Sequence, residues 1–464
     1  MNGAVELPLD APELTLEAAG GARVRRSVLP SGLRVLTEAM PGSRSATVGF
    51  WVGVGSRDER DDPDSAAPGT FGSTHFLEHL LFKGTATRTA LDIATAFDAV
   101  GGEHNAMTAK EYTCYYARVQ DRDLPMAVDV LADMLTASRL DPDEFENERG
   151  VILEELAMAG DDPADAASER FFDAVFGAHP LGRPIGGTRH SIGRVSRDAV
   201  FTHFRARYRP DELVVTAAGA VDHDALVARV TEGLAAGGWD LGTPHPPAPR
   251  RLADEAALTR GADVSIEDRP IEQANLLLGV PGLTATDPRR PALNVLNSVY
   301  GGGMSSRLFQ EVRERRGLAY AVHSLAPGYS DAGVFGAFAA CQPSNAGTVA
   351  ELVVGELGRI ADEGITEADL ARAAGQLGGG AALALEDSDT RMSRLGRAEL
   401  THGEFVDLDE ALRRIARVTR DDVRDLAADL RERPWSIAAV GGVDAGTFRG
   451  VRDDGARPAA SEAP

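Results

Sequence analysis

One arrangement of strands occurs twice along the chain, and this repetition constrains the fold more than any other feature of its 464 residues. The stretch 273–280 resembles 45–55, and 433–444 (RPWSIAAVGGVD) resembles 209–222 (RPDELVVTAAGAVD). The two segments of the first match lie 228 residues apart and those of the second match 224, so the offset between the halves is nearly constant. Such an offset predicts two related α+β domains of roughly 220 residues each, produced by internal duplication.

Patterns of apolar residues in the first half predict the order of its elements. Two strands, 28–38 and 45–55, are predicted to pair, with Pro41 and Gly42 forming the turn between them. Four helical stretches follow, and a strand-like stretch lies between the second and third of them. In chain order these are 74–82, 89–100, 108–119 (the strand), 125–137 and 143–158. The half closes with an apolar run at 213–220 that is typical of a buried strand.

Changes in composition set the predicted domain boundaries. A proline-rich segment at 241–262 interrupts all periodicity and is predicted to be an extended linker. It separates a first domain, 27–240, from a second domain, 263–450. Residues 1–26 are predicted to be an N-terminal extension, and 451–464 a disordered tail.

The charge balance and the cysteine content exclude several classes of function. The chain has 71 acidic and 48 basic side chains, a formal charge of −23, which argues against nucleic acid as a partner. An acidic surface suits either solubility alone or basic and neutral peptides. Two cysteines, Cys114 and Cys341, are too few for a disulfide framework or a cysteine zinc site. Neither a signal peptide nor a membrane-spanning run is found, so a reducing cytoplasm is the expected location.

Arginine supplies nearly all of the positive charge, and Lys83 and Lys110 are the only lysines. This looks like compositional bias rather than mechanism. It excludes a phosphate-binding P-loop, because Gly84 and Glu111 stand where that loop requires Ser or Thr. The chain also lacks a G-x-S-x-G motif, and Cys114 has no motif-like surroundings, so a serine or cysteine hydrolase is not favoured.

The stretch STHFLEHLLF carries the strongest indication of chemistry. Its helix can be capped by Ser73 or Thr74. His75 and His79 then project from one face, one turn apart, so their imidazoles can share a tetrahedral zinc. Glu78 lies beside His79 and can reach a water on the metal without ligating it. This is the inverted H-x-x-E-H arrangement, although a structural zinc site or a pair of core histidines has the same spacing.

A catalytic zinc has three protein ligands and an open fourth position, so one more donor is expected. The helix predicted over 146–158 offers Glu148, Glu154 and Glu155. Glu148 and Glu155 are seven residues apart and share a face, whereas Glu154 points about 100° away from Glu155. The spacing leaves Glu154 and Glu155 open as the third ligand.

At these residues the chain resembles the M16 metallopeptidases, the insulinase, pitrilysin and mitochondrial-processing-peptidase group, and most of all its bacterial processing-peptidase-like members. HFLEHLLFKGT is similar to the metal motif of that family, and ENERGVILEEL to its third-ligand helix. The resemblance extends over most of the chain. It implies one zinc per chain on His75, His79 and Glu155, with Glu78 as the general base. Glu148 is implied as an auxiliary acid near the site.

Two further segments are similar to parts of the family. GGEHNAMTAKEYTCYYARV resembles the strand to which a substrate peptide adds by backbone pairing, which implies substrate contacts at Asn105, Ala106 and Thr108. GGGMSSRLFQEVRERRGLAY looks like the segment with the family's Arg/Tyr pair, which maps onto Arg313 and Tyr320. A guanidinium and a phenol can stabilise the oxyanion that forms during hydrolysis. By residue type alone, the two are an ordinary surface arginine and half-buried tyrosine.

The resemblance also implies a fold and an assembly. Each domain is expected to be a mostly antiparallel sheet covered by helices, of the LuxS/MPP-like metallohydrolase type. Family members enclose a chamber with four such domains, and this chain has two, so a dimer is expected. A homodimer is favoured because the metal motif and the Arg/Tyr pair occur together, with a heterodimer as the alternative. The implied function is hydrolysis of short unfolded peptides; the competing one is a non-catalytic interaction subunit.

One departure from the family is visible before the metal motif. The connection 57–72 (RDERDDPDSAAPGTFG) is longer and more acidic than usual. It is interpreted as a mobile rim loop or a tolerated insertion, with no assigned part in specificity.

Overall fold

The structure is a computed structural model, and it describes residues 3–60, 70–251 and 255–451. The chain divides into two compact units. The first unit comprises Met1–Met158, Arg183–Leu252 and Gly378–Arg413, and the second comprises Ala159–Gly182, Ala253–Leu377 and Arg414–Pro464. Residues 61–69 of the acidic connection and 452–464 of the predicted tail lie outside the described residues.

The strands of both units are numbered here in chain order. They are β1 (Ala4–Glu6), β2 (Glu13–Ala18), β3 (Ala22–Val28), β4 (Arg34–Ala39), β5 (Ser45–Val52), β6 (Glu103–Thr108), β7 (Thr113–Gln120), β8 (Leu213–Gly219), β9 (Val264–Glu267), β10 (Ala274–Pro281), β11 (Ala319–Leu325), β12 (Val334–Cys341), β13 (Glu404–Val406) and β14 (Ser436–Val440).

The α-helices are numbered in the same way. They are α1 (Ser73–Leu81), α2 (Ala90–Asp98), α3 (Leu124–Ala137), α4 (Pro142–Asp161), α5 (Pro163–Phe176), α6 (Arg189–Arg194), α7 (Arg197–Arg207), α8 (His223–Ala236), α9 (Arg290–Tyr300), α10 (Ala346–Glu363), α11 (Glu367–Ala384), α12 (Ser388–Arg397), α13 (Leu408–Ala416) and α14 (Arg420–Arg431).

Five neighbouring strands of the first sheet have the same order as the five strands of the second, which confirms the internal duplication. The sheet of the first unit runs β2-β3-β4-β8-β5-β7-β6, and that of the second runs β9-β14-β10-β12-β11. The parallel pairs β4/β8 and β9/β14 correspond, and the remaining pairs are antiparallel. The repeated sequence segments become β5 with β10 and β8 with β14, which are adjacent central strands in their sheets. The fold is therefore two related α+β domains with mostly antiparallel, helix-covered sheets.

The central strands of the first unit are buried on both faces. Phe50 of β5 and Val215 of β8 pack into the core that includes α1 and α3. Their neighbours Trp51 and Val214 face the opposite side, where they pack against α12. Since successive side chains of a strand point to opposite faces, such two-sided burial requires helices on both sides of the sheet.

The predicted pairing of the first two long strands is wrong. β8 lies between β4 and β5, parallel to the first and antiparallel to the second. The sequence of β8, LVVTAAG, is apolar or small throughout, and every residue of it is buried. A strand of that kind is favoured at the centre of a sheet, where it displaces the local hairpin.

The edges of the predicted domains carry more structure than the sequence indicated. The predicted extension, 1–26, provides β2 and most of β3 to the seven-stranded sheet, and β1 pairs with β13. The strand predicted over 108–119 corresponds to β7, and the residues before it form β6, its partner in a hairpin that the sequence did not indicate.

Each half of the sequence also provides a helix to the unit centred on the other half. α5, from the first half, belongs to the second unit and packs against β10 and β14. α12, from the second half, belongs to the first unit and packs against β5 and β8. The compact units thus follow the apolar faces that must be covered rather than the order of residues along the chain.

A buried ionic cluster fixes the segment after α12 within the first unit. The carboxylate of Glu399, which is fully buried, accepts from Arg26 at 2.9 and 3.0 Å and from Arg250 at 3.0 Å. Arg34 lies 3.7 Å from the same carboxylate, and burial lowers the pKa of its guanidinium. Two buried cations and a third that is mostly buried thus share one buried carboxylate.

In the part of the chain that the structure describes, no helix has both the length and the apolar character that a membrane crossing requires.

Candidate metal centre

The helix with the two histidines begins in a way that the sequence did not predict. Its N-cap is Gly72, with φ of 86°, and the expected capping by Ser73 or Thr74 is wrong because both residues lie inside the first turn. A Cβ at Gly72 would come within 2.4 Å of Ile192, so this position cannot accommodate a capping side chain. The free N–H groups of α1 must therefore be satisfied from another segment.

Glu59 supplies that cap. Its carboxylate accepts from the backbone N–H of Gly72 and from that of Thr74, both at 2.7 Å, and the side chain is almost fully buried. Burial raises the pKa of Glu59 to about 7, opposed by the N–H donors of the helix. A carboxylate in this place also interacts favourably with the positive end of the helix dipole.

Glu59 belongs to the acidic connection, whose described ends form a stem. The N–H of Thr70 donates to the carbonyl of Arg60 at 2.8 Å, just beyond Glu59. The sequence did not indicate Glu59 as the cap, because it lies thirteen positions before the N-cap, outside the range of a local capping motif. The only signal was the unusual acidity of the connection itself.

Three side chains come together as a possible ligand set. One ligand atom each of His75, His79 and Glu155 lies within 4.8 Å of the other two, which is the spacing that a shared metal ion requires. The Oε2 atom of Glu155 is 3.4 Å from Nε2 of His79 and 4.0 Å from Nε2 of His75. Of the two glutamates that the spacing left open, Glu155 rather than Glu154 lies with both histidines.

The chemistry of this set fits zinc. Two imidazole nitrogens and one carboxylate oxygen are a common three-ligand set for catalytic zinc, with the fourth position left for water or substrate. Burial, together with the neighbouring His79, lowers the pKa of His75 to about 4, so its ring is neutral near pH 7 and can donate a lone pair. The side chain of Glu155 is nearly half exposed, so solvent can reach the set.

A further carboxylate orients the second histidine. Oε2 of Glu148 lies 3.0 Å from Nδ1 of His79, and Oε1 lies 2.7 Å from the ammonium of Lys83. An Nδ1–H donated to this carboxylate leaves Nε2 of His79 unprotonated on the side of Glu155. Outer carboxylates of this kind fix the tautomer and the orientation of metal-binding histidines.

Glu78 lies on the same helix and has a specific partner on β6. The hydroxyl of Thr108 donates to Oε2 of Glu78 at 2.5 Å. Behind them, the hydroxyls of Tyr115 and Tyr208 are 2.9 Å apart, and burial raises the pKa of both phenols. Thr108, which is predicted to contact substrate, also donates a hydrogen bond to the predicted base.

Replacing Thr108 by valine is expected to slow peptide hydrolysis about 10- to 100-fold, because a hydrogen bond to a charged group contributes about 1.5–3 kcal/mol. Zinc content should stay that of the wild type, since Thr108 does not contact a ligand. Steady-state rates and metal analysis of the same preparations check this. Unchanged hydrolysis would show that the hydroxyl does not hold the base in its reactive position.

The other predicted substrate residues lie on the edge strand of the sheet. β6 is the last strand in the order of the seven-stranded sheet and pairs with β7. The backbone N–H of Ala106 donates to the side chain of Asn105 at 2.8 Å. A terminal strand of this kind has the geometry to which a further strand can add.

The predicted Arg/Tyr pair lies in the second unit, where the two residues contact each other. Arg313 is on a π-helical segment, Phe309–Arg315, and its guanidinium lies 4.7 Å from the ring centre of Tyr320. It also lies 4.8 Å from the ring centre of Phe309. The side chain of Tyr320 is 74 % exposed, which is unusual for a large aromatic residue and leaves its phenol accessible.

Comparison with known proteins places both halves of the chain in one family. Residues 34–189 match the family model described as insulinase (peptidase family M16), and this range includes His75, His79 and Glu155. Residues 194–377 match the model described as the peptidase M16 inactive domain, the range with Arg313 and Tyr320.

Individual relatives agree with the family models. A Streptomyces coelicolor protein named as an uncharacterized zinc protease is 49 % identical over 424 residues, 91 % of this chain and 90 % of the relative. A Mycobacterium leprae protein with the same description is 46 % identical over 425 residues, 92 % and 93 % of the two chains. The crystal structure of a Helicobacter pylori protease superposes with a TM-score of 0.79 at 21 % identity, covering 90 % of this chain and 99 % of that one. The chain belongs to the M16 peptidase family.

Proposed function

We propose that the chain is a zinc-dependent endopeptidase that hydrolyses short unfolded peptides. The observation that carries this proposal is the grouping of His75, His79 and Glu155 within 4.8 Å, next to Glu78 on the same helix. The relatives named as zinc proteases support it, because they match nearly the whole chain.

His75, His79 and Glu155 would hold the zinc. Zinc in this position would act as a Lewis acid that polarises the scissile carbonyl and lowers the pKa of the attacking water. Glu78 takes the proton of that water as general base and delivers it to the leaving amine. Thr108 holds the Glu78 carboxylate in place for both transfers, through the contact at 2.5 Å.

The substrate peptide binds as an additional strand along β6. Its backbone pairs with the edge of the sheet near Asn105 and Ala106, a mode of binding in which main-chain hydrogen bonds provide the affinity. Backbone pairing requires an extended segment, so folded proteins are poor substrates. The N–H of Ala106 must exchange the side chain of Asn105 for a substrate carbonyl.

Arg313 and Tyr320 donate hydrogen bonds to the substrate carbonyl and to the oxyanion that develops on it. Their mutual contact at 4.7 Å and the exposure of Tyr320 support this role, because the pair is preorganised and accessible. Both residues occur in the same chain as the metal ligands.

The active form is a dimer that encloses the site. The proposal follows from the resemblance, since shells of this family contain four related domains and one chain contributes two. A homodimer would have two complete sites, whereas a heterodimer would combine this chain with a related subunit. Light scattering of the purified protein measures the mass, and a monomer at working concentrations that hydrolyses peptides would contradict the proposed assembly.

A quenched fluorescent peptide with basic residues tests the function. We expect the purified chain to cleave it, a chelator to stop cleavage, and added zinc to restore it. A chain that binds zinc without cleaving would indicate a missing partner subunit. A chain that neither binds zinc nor cleaves would support the alternative, a non-catalytic subunit or interaction protein of the same family.

A further inference from the structure

The bias towards arginine does not explain the positions of the two lysines in the chain. Of the 48 basic side chains 46 are arginine, so the bias accounts for the arginines but not for the two exceptions. Lys83 follows His79 by four residues, and Lys110 follows Thr108 by two. Both exceptions therefore lie close in sequence to residues of the candidate metal centre.

Lys83 is part of a chain of contacts that ends at a metal ligand. Its ammonium lies 2.7 Å from Oε1 of Glu148, and the other oxygen of that carboxylate lies 3.0 Å from Nδ1 of His79. The Glu148 side chain is only 4 % exposed, whereas that of Lys83 is 34 % exposed. A carboxylate this deeply buried has few alternatives to these two partners, so each of them restricts its orientation.

We propose that Lys83 is a positioning residue of the zinc site, whose ammonium holds Glu148 against His79 in a way that arginine cannot. The inference rests on the proposed zinc peptidase function. Among the described residues Glu148 has two partners, Lys83 and His79. Removal of Lys83 leaves this buried carboxylate with one of them, so the imidazole that it orients also loses its fixed direction.

The shape of the cation explains why a lysine occurs at this place. An ammonium is a compact charge that satisfies one carboxylate oxygen and leaves the second for the histidine. A guanidinium presents a planar fork that tends to bind both oxygens of a carboxylate. An arginine at residue 83 would therefore compete with Nδ1–H of His79 for the second oxygen of Glu148.

The test compares Lys83→Met, which removes the charge, and Lys83→Arg, which keeps it, with Arg88→Met as the matched control. Arg88 is a similarly exposed cation that pairs with a mostly buried carboxylate, Asp133, which is not one of the ligands. Zinc dissociation constants are measured by competition with a chelator, at a temperature where circular dichroism shows all variants folded. The kcat and KM of each zinc-saturated protein are measured on the fluorescent peptide.

We expect both Lys83 variants to bind zinc about 10- to 100-fold more weakly, the range for losing an outer partner of a metal-binding histidine. When saturated with zinc, they should show a lower kcat with KM unchanged, and Arg88→Met should match the wild type. Wild-type zinc affinity in Lys83→Met, even with a lower Tm, would overturn the inference, as would wild-type behaviour of Lys83→Arg. Failure of the proposed function is distinguishable, because the wild type itself would then lack zinc binding or hydrolysis.

Discussion

Replacing Glu78 by glutamine is expected to reduce peptide hydrolysis about 100- to 10,000-fold, the range for losing a general acid–base group. Glutamine has nearly the same size as glutamate but cannot accept the proton of the attacking water. The metal ligands His75, His79 and Glu155 are untouched, so zinc content and affinity should stay those of the wild type. The measurement is kcat/KM on the fluorescent peptide, together with zinc analysis of the same sample.

Glu154→Gln is the matched control for this experiment. Glu154 is an exposed glutamate next to Glu155 on α4, outside the ligand group, so the substitution should leave both the rate and the zinc content unchanged. If Glu78→Gln were as active as the wild type, the assignment of the general base would be wrong. A loss of zinc in that variant would instead point to Glu78 as a ligand.

Replacing Glu399 by glutamine is expected to lower the free energy of unfolding by about 3–5 kcal/mol, because it leaves buried cations without their counter-charge. Arg26 is fully buried beside it, and Arg34 and Arg250 share the same carboxylate. A neutral amide cannot balance three guanidinium groups at these distances. Since the total free energy of unfolding of a typical domain is about 5–15 kcal/mol, the loss would be visible in urea unfolding.

Glu13→Gln provides the comparison for that measurement. Glu13 is mostly exposed and lies 4.0 Å from Arg25, an arrangement that contributes only about 0–1 kcal/mol. Both variants remove one negative charge from a glutamate near arginine, so their difference measures the combined effect of burial and of the additional arginine partners of Glu399. Equal stability of both would show that the Glu399 cluster is solvated in solution or that the arginines find other partners.

The sequence predicts the residues of the metal centre better than it predicts the residues that hold them in place. The spacing of His75 and His79 requires only that their segment be helical, and α1 satisfies this. The spacing left both Glu154 and Glu155 as candidates for the third ligand, and only the family resemblance indicated Glu155. A helical pattern shows which residues share a face, but it does not show which other segment that face contacts. Glu59 could not be found in this way, because its contact with Gly72 depends on the path of a long connection.

The sheet shows the same limit. Individual strands such as β5 and β8 follow from local patterns of apolar residues, and so does the repetition that relates the two sheets. The position of β8 between β4 and β5 does not follow from local patterns, because strands that pair can lie far apart in sequence. The exchange of α5 and α12 is equally non-local, since each helix is placed by the sheet face that it covers.

X-ray absorption at the zinc edge, on protein loaded with one zinc per chain, tests the assignment of the metal ligands. We expect a first shell of nitrogen and oxygen only, at about 2.0–2.2 Å, with the outer-shell scattering of two imidazole rings. Glu155→Ala should keep the two-histidine signature and bind zinc more weakly. Sulfur in the first shell, or a zinc without histidine scattering, would contradict the assignment of the metal to His75, His79 and Glu155.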